Sequence, residues 1–427
     1  MLFLQKSIAG ATLAIDPMPS SSSVSIGIWL PYGSRNEKPH SRGFFHFIEH
    51  MLFKGTHYTD ARGLARVFER SGGYINAFSE RSATCIYCTV PHENWWESFQ
   101  TIIEMAFFSV FPLHEFEKEK AVIISEILQT NDDPEERAHD LFFKNFWRGQ
   151  AIGLPIAGEV SEVDSISRDV LYSFYINLFH PQNAFISIAG NIDEKRAVEQ
   201  IATKFQQFSA QCIAGEKYSD FEDNKIAVAE SFSLYKKSPS SLSYVIQAIE
   251  NTAPRCNREY LCNAILNEII GGSTISRLFQ SLREDKGLCY TVFSSFEPEA
   301  SESVWIFHLQ TTKQQLFSSL DALEQVISNP AASPLTTAEF DDARSRVSGL
   351  MKLAMDESDF RQRRMARQYF AYRSIETLQD ELASIASIHY DEIEIIAEDL
   401  FRSIKSRFVF GAVQEKALKK RGYGGSE

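Results

Sequence analysis

The chain has 427 residues, 44% of them apolar and 23% charged, and a formal net charge of −13. That length exceeds one ordinary domain and suggests two of roughly 200 residues each. The composition excludes extensive disorder, and the acidic balance argues against general nucleic-acid binding while remaining compatible with basic peptides or with plain solvated surface.

Six cysteines in a chain this long make no disulfide scaffold and suit a reducing compartment. The opening residues, Met1 to Lys6, lack the basic start, apolar run and cleavage site of a signal peptide, and no apolar run approaches membrane-spanning length. A soluble cytoplasmic protein is the expectation, with no membrane and no nucleic acid among its partners.

In chain order, residues 11–16 and 24–31 read as an antiparallel strand pair separated by a serine cluster. A polar loop, 32–42, leads into His46-Phe-Ile-Glu-His50. Residues 60–71 carry apolar side chains at helical spacing and stop at Gly72-Gly73, after which 74–78 and 83–91 read as strands. Helices are expected over 93–110, 113–130, 134–147 and 167–177, and a strand returning to the sheet over 184–189. Cys85 and Cys88 resemble a metal pair, but a strand sends positions three apart to opposite faces, so buried strand cysteines are expected.

Polar, weakly periodic sequence from Gln206 to Asn224 is the expected connection, giving domains 1–210 and 225–427 with a linker at 211–224. The pattern then begins again: strands near 226–235 and 241–249, helices near 258–270 and 274–284, strands near 289–296 and 304–311, then long helices. Residues 64–70 align with 275–281, each followed by glycine and paired strands, which suggests two copies of one unit. The second copy has no histidine in its corresponding helix, 261–270. The expected fold class is α+β: two homologous domains, each a largely antiparallel sheet with helices packed on one face. The basic and then glycine-rich tail, 416–427, reads as frayed.

On a helix, residues four apart share a face, so His46 and His50 can turn two imidazoles to one metal with Glu49 flanking the site. Neutral imidazole is a preferred zinc ligand, and a carboxylate beside a zinc-bound water can take its proton as the water attacks a carbonyl. The order His-x-x-Glu-His is the inverted zinc-protease motif. A catalytic zinc usually takes three protein ligands. Glu119 and Glu126, about two turns apart on helix 113–130, are both candidates, one to ligate and the other to orient a ligand from behind. Spacing alone does not choose between them.

Gly33-Ser-Arg-Asn-Glu37, the run from Gly43 to Thr56, Gly72-Gly-Tyr-Ile-Asn-Ala77 and the run from Phe116 to Glu126 together resemble the pitrilysin-type, inverted-zincin metallopeptidases, in the branch of the processing peptidases and their bacterial relatives. The likeness continues through 174–193, with Phe179 where a tyrosine is usual, and returns at 271–290, so it covers nearly the whole chain. It departs from the family at Ser273-Thr274-Ile275 and at Cys289. The resemblance implies a zinc endopeptidase holding one zinc ion per chain. His46, His50 and Glu126 would be its ligands, Glu119 a carboxylate orienting one of them, and Glu49 the general base.

It further implies that Asn76, Ala77 and Phe78 bind the substrate backbone on an edge strand, as in strand addition. Arg283 and Tyr290 would hydrogen-bond the substrate carbonyl and its developing oxyanion. In relatives of this length two chains close into a chamber, so a homodimer is expected in which one subunit's Arg283 serves the other's zinc. His57, Cys88 and His92 are expected to be structural or surface residues. Two other functions compete: a non-catalytic scaffold subunit, and a zinc-dependent lyase acting on small molecules.

Overall fold

In the computed structural model, the described residues are 3–8, 10–210, 233–238, 240–299, 302–327, 334–403, 405–411, 415–421 and 423. The expected linker 211–224 lies outside them.

The first half runs β1 (Phe3–Ile8), β2 (Ala11–Pro17), β3 (Ser23–Leu30), α1 (Phe44–Met51), α2 (Ala61–Glu69), β4 (Tyr74–Ser79), β5 (Thr84–Pro91), α3 (Trp95–Phe107), α4 (Leu113–Asp132), α5 (Pro134–Phe146), α6 (Val160–Ser165), α7 (Arg168–Leu178), β6 (Phe185–Gly190) and α8 (Glu194–Ser209). Its strands form a six-stranded sheet in the order β1-β2-β6-β3-β5-β4. The expected pairing of the first two strand segments is incorrect, because β6 returns between them, parallel to β2 and antiparallel to β3. All six β6 residues are buried, which is why this apolar run takes an interior position.

The second half runs β7 (Ser233–Lys237), β8 (Leu242–Thr252), α9 (Asn257–Ile270), β9 (Cys289–Glu299), β10 (Glu302–Thr312), α10 (Leu316–Ile327), α11 (Thr337–Ala354), α12 (Ser358–Tyr372), α13 (Leu378–Ala386), α14 (Tyr390–Arg402), β11 (Lys405–Gly411) and α15 (Glu415–Lys420). Its five-stranded sheet has the order β7-β11-β8-β10-β9, with β7 and β11 parallel. The two sheets thus repeat one topology, and both are largely antiparallel. Between α9 and β9 the expected helix is in large part a π-helix, Phe279–Asp285. Within the tail expected to be frayed, residues 415–420 instead form α15, with Leu418 fully buried.

Two compact units result, and each takes a piece of sequence from the other half. One unit comprises Met1–Gln129, Leu154–Asn224 and Ala354–Thr377; the other comprises Thr130–Gly153, Lys225–Leu353 and Leu378–Glu427. In the first, β3 shows how the sheet is covered on both faces. Val24, Ile26, Ile28 and Leu30 enter the main core with α1, α3 and α4. The alternate residues face α12: Ser25 Oγ lies 2.7 Å from Ser358 Oγ, and Trp29 packs with Met365 and Ala366. Gly27 is the strand position where a Cβ would collide with the Gln362 amide. Cys85 and Cys88 are both fully buried, one in each of these opposite layers.

The second unit is built alike. Val245 and Ile249 of β8 face its main helices, while Tyr244, Ile246 and Ala248 pack on Ala138 and Phe142 of α5. The main helical layer therefore lies on one face of each sheet, as expected, and a single helix from the other half of the sequence covers the reverse face.

Candidate metal centre

Helix α1 starts at Gly43, whose φ of +76° is a left-handed conformation and whose Cβ position would fall 2.7 Å from the Ala157 carbonyl oxygen. Buried Glu37 caps this start: its carboxyl oxygens accept from the Gly43 N–H at 2.9 Å and the Phe45 N–H at 3.0 Å. Burial pushes the Glu37 carboxyl up to about 8, against the pull of those backbone donors and of Arg42. Phe47 of α1 stacks on Phe116 of α4 with ring centroids 4.6 Å apart, and both rings are fully buried. That stack sets the carboxylates of α4 against the histidines of α1.

His46 and His50 come together with ring centroids 4.8 Å apart. His46 Nε2 lies 3.7 Å from Glu126 Oε1, and His50 Nε2 lies 3.6 Å from Glu126 Oε2. One donor atom from each of the three residues falls within 4.8 Å of the others. Burial first, and His50 second, bring the His46 imidazole down to about 4, which favours its neutral form with a free lone pair. Two imidazole nitrogens and a carboxylate oxygen are the donor chemistry zinc prefers, and ligands at about 2.0–2.2 Å in a tetrahedral shell leave donors spaced much as these are. The residues present therefore fit a zinc-type cation.

Glu119, the other candidate on α4, stands on the far side of His50. Its Oε2 is 3.1 Å from His50 Nδ1 and its Oε1 is 2.6 Å from Lys54 Nζ. Burial raises the carboxyl of the half-buried Glu49 above the usual range, while neighbouring Ser79 and His50 pull it back. Ser79 Oγ also donates to the Phe45 carbonyl at 3.1 Å, joining β4 to α1.

Lys54, Ser79 and Glu37 are contributions that motif reading missed. Lys54 carried a signal, because it continues the four-residue spacing of His46 and His50.

Strand β4 is the outer strand of its sheet, paired on one side by β5. Asn76 is exposed and accepts from the Ala77 N–H at 2.9 Å through its own Oδ1, so that N–H turns away from β5. Ala77 is buried, and Phe78 packs edge-on to Trp29 on the α12 side. Neither Cys88 nor the exposed His57 and His92 belongs to the three-residue donor group.

Arg283 and Tyr290 belong to the second unit and meet each other there. Arg283 Nη1 donates to the Tyr290 carbonyl at 2.7 Å, and the guanidinium lies 4.6 Å from the Tyr290 ring centroid and 4.7 Å from that of Phe279. Tyr290 sits at a register shift in β9, between the pairs Thr291–Gln310 and Cys289–Thr311, and is 77% exposed. The adjoining Cys289 is half-buried, and Ile275 is exposed.

The chain is thus a duplicated α+β fold carrying an inverted histidine motif with a third carboxylate in only one of its halves, the pattern shared by inverted-zincin families. Two family models agree with it: "Insulinase (Peptidase family M16)" over residues 12–160, and "Peptidase M16 inactive domain" over 165–347. The chain belongs to the M16 peptidases, the pitrilysin-type family. Its relatives include the uncharacterized zinc protease YmxG of Bacillus subtilis, 28% identical over 92% of this chain and 94% of that one. An uncharacterized zinc protease of Rickettsia bellii is 29% identical over 94% and 95%.

Among solved structures, a peptidase M16 inactive domain from Pseudomonas fluorescens matches with a TM-score of 0.86 at 17% identity, covering 97% of this chain and 98% of that one. A protease from Helicobacter pylori matches with a TM-score of 0.85 at 17% identity, covering 96% and 99%. These two likenesses speak to the fold alone. No helix among the described residues is long and apolar enough to cross a membrane.

Proposed function

We propose that the chain is a zinc endopeptidase acting on extended peptides or unfolded segments. The observation that carries this is the convergence of His46, His50 and Glu126 beside Glu49. The naming of its relatives as zinc proteases supports the choice of metal. His46, His50 and Glu126 hold the ion. When bound, zinc supplies Lewis-acid chemistry, polarising a peptide carbonyl and acidifying water. Glu49 takes the proton of the attacking water and returns it to the departing amine. Glu119 fixes the His50 ring through Nδ1.

The peptide lies along the outer edge of β4 as an added strand beside Asn76 and Ala77, with Phe78 shaping the adjoining surface. Arg283 and Tyr290 supply donors to the substrate carbonyl and its oxyanion. Two chains form a closed homodimeric chamber in which this pair serves the partner's zinc, and the free cysteines suit a cytoplasmic setting. A scaffold has no need of a complete donor set with a base beside it, and a long duplicated chain suits a peptide better than a small thioether.

Loss of peptide cleavage on chelation and its return with zinc test the activity. Mixing Glu49→Gln chains with Arg283→Ala chains tests the sharing. Restored cleavage supports it, whereas mixed dimers without activity would refute it.

A further inference from the structure

We infer that Lys54 is a positioning residue for the metal site, acting through Glu119 on His50; the inference rests on the zinc reading above. The chain goes on turning beyond α1, with the Leu52 N–H bonded to the Ile48 carbonyl at 2.9 Å and the Lys54 N–H to the Met51 carbonyl at 3.1 Å. Lys54 therefore leaves the backbone on the side that carries His46 and His50. Its ammonium holds Glu119 Oε1 at 2.6 Å, and Glu119 Oε2 is thereby aimed at His50 Nδ1, 3.1 Å away.

A carboxylate anchored through one oxygen turns less freely, so the second oxygen steadies the imidazole ring and leaves Nε2 directed to Glu126. The pair is shielded, with side chains only 24% and 10% exposed, so the contact holds better than a surface ion pair. Glu115, one turn before Glu119 and also within the field of Lys54, is already engaged by Lys118 at 3.0 Å and His114 at 3.1 Å. It leaves the ammonium to Glu119.

This role has a sign of its own. If Lys54 merely neutralised acidic surface, its removal would strengthen attraction for a divalent cation. A positioning lysine has the opposite effect, because its loss frees Glu119 and loosens His50.

Zinc affinity, measured by competition with a chromophoric chelator, separates the two. Lys54→Met should bind zinc about tenfold more weakly, the lower end of what such supporting contacts contribute. Lys54→Arg should restore most of the loss, and Lys54→Met in a Glu119→Gln background should cost less than about twofold, since coupled residues are not additive. Thermal unfolding of the metal-free Lys54→Met and Lys54→Arg chains shows whether a loss of zinc affinity follows the fold or the contact, since removing the ammonium also leaves the shielded Glu119 carboxylate without its cation.

Unchanged or tighter zinc binding by Lys54→Met overturns the inference while the metal site stands. Full additivity with Glu119→Gln also overturns it, as does a loss that tracks lowered stability and is not restored by arginine. A wild-type chain that takes no zinc would instead bring down the metal reading, and this inference with it.

Discussion

The contact that sets the two halves of the donor group against each other is the Phe47–Phe116 stack, and removing it should be felt in stability and at the site alike. Both rings are fully buried, 4.6 Å apart and only 9° from parallel. Phe47→Ala or Phe116→Ala should each destabilise the first unit by about 3–5 kcal/mol, since a ring-sized cavity opens where the core cannot fully collapse. Part of that loss is shared. A stacked pair contributes about 0.5–1.5 kcal/mol beyond its buried area, so the double variant should lose less than the two single variants added together.

The assay is guanidinium unfolding of the metal-free chain, fitted with one transition for each compact unit, because a single two-state fit does not describe a two-unit protein. Zinc affinity should fall in parallel even for the milder Phe47→Leu, since α4 carries Glu119 and Glu126 and the stack fixes its register on α1. Additive losses, single-variant losses under about 1 kcal/mol, or unchanged zinc affinity in Phe47→Leu would show that something else holds α4 in place.

Other expectations concern the start of the metal helix and the exchanged helix. Glu37 has its carboxyl raised from 4.5 to about 8 in the folded chain, so the folded state holds a proton that the unfolded state gives up. Its effect on stability is thus most favourable below pH 4.5 and declines as pH rises to about 8; wild type should lose stability relative to Glu37→Gln across that range, as read from unfolding midpoints. Gly43→Ala should lower the unfolding midpoint, through a left-handed backbone cost of about 1–2 kcal/mol and a clash with the Ala157 carbonyl. Gln362→Ala should cost about 1–3 kcal/mol, because the Gln362 amide oxygen accepts from Ser187 Oγ at 2.8 Å on the buried reverse face of the first sheet, beside the Trp29 indole.

The sequence made the local chemistry readable and left the long-range assembly hidden. His46 and His50 were legible because a four-residue spacing has one meaning on a helix, and the α4 carboxylates were legible as a pair on one face. Which of Glu119 and Glu126 meets both histidines depends on how α4 packs, and that is decided by Phe47 and Phe116, aromatics whose periodicity says only that they are buried. The placement of β6 between β2 and β3 escaped for a similar reason. Alternation shows that a strand has a buried face, not which strand lies beside it.

The same limit hid the exchange of α5 and α12. Helical spacing in 134–147 and 358–372 reveals an apolar face, while the sheet that covers it lies in the other half of the sequence. The short strands β1 and β11 and the helix α8 had no motif to mark them. The π-helix carrying Arg283 differs from an α-helix by a slip in hydrogen-bond register, which composition does not encode.

The most direct test of the zinc-peptidase account pairs zinc content with cleavage of a mixed peptide library, comparing wild type with Glu49→Gln. The substitution leaves His46, His50 and Glu126 in place and removes the base. The account predicts about one zinc per chain in both proteins, with cleavage by wild type alone. Zinc bound in both with no cleavage by either, or undiminished cleavage by Glu49→Gln, would contradict it.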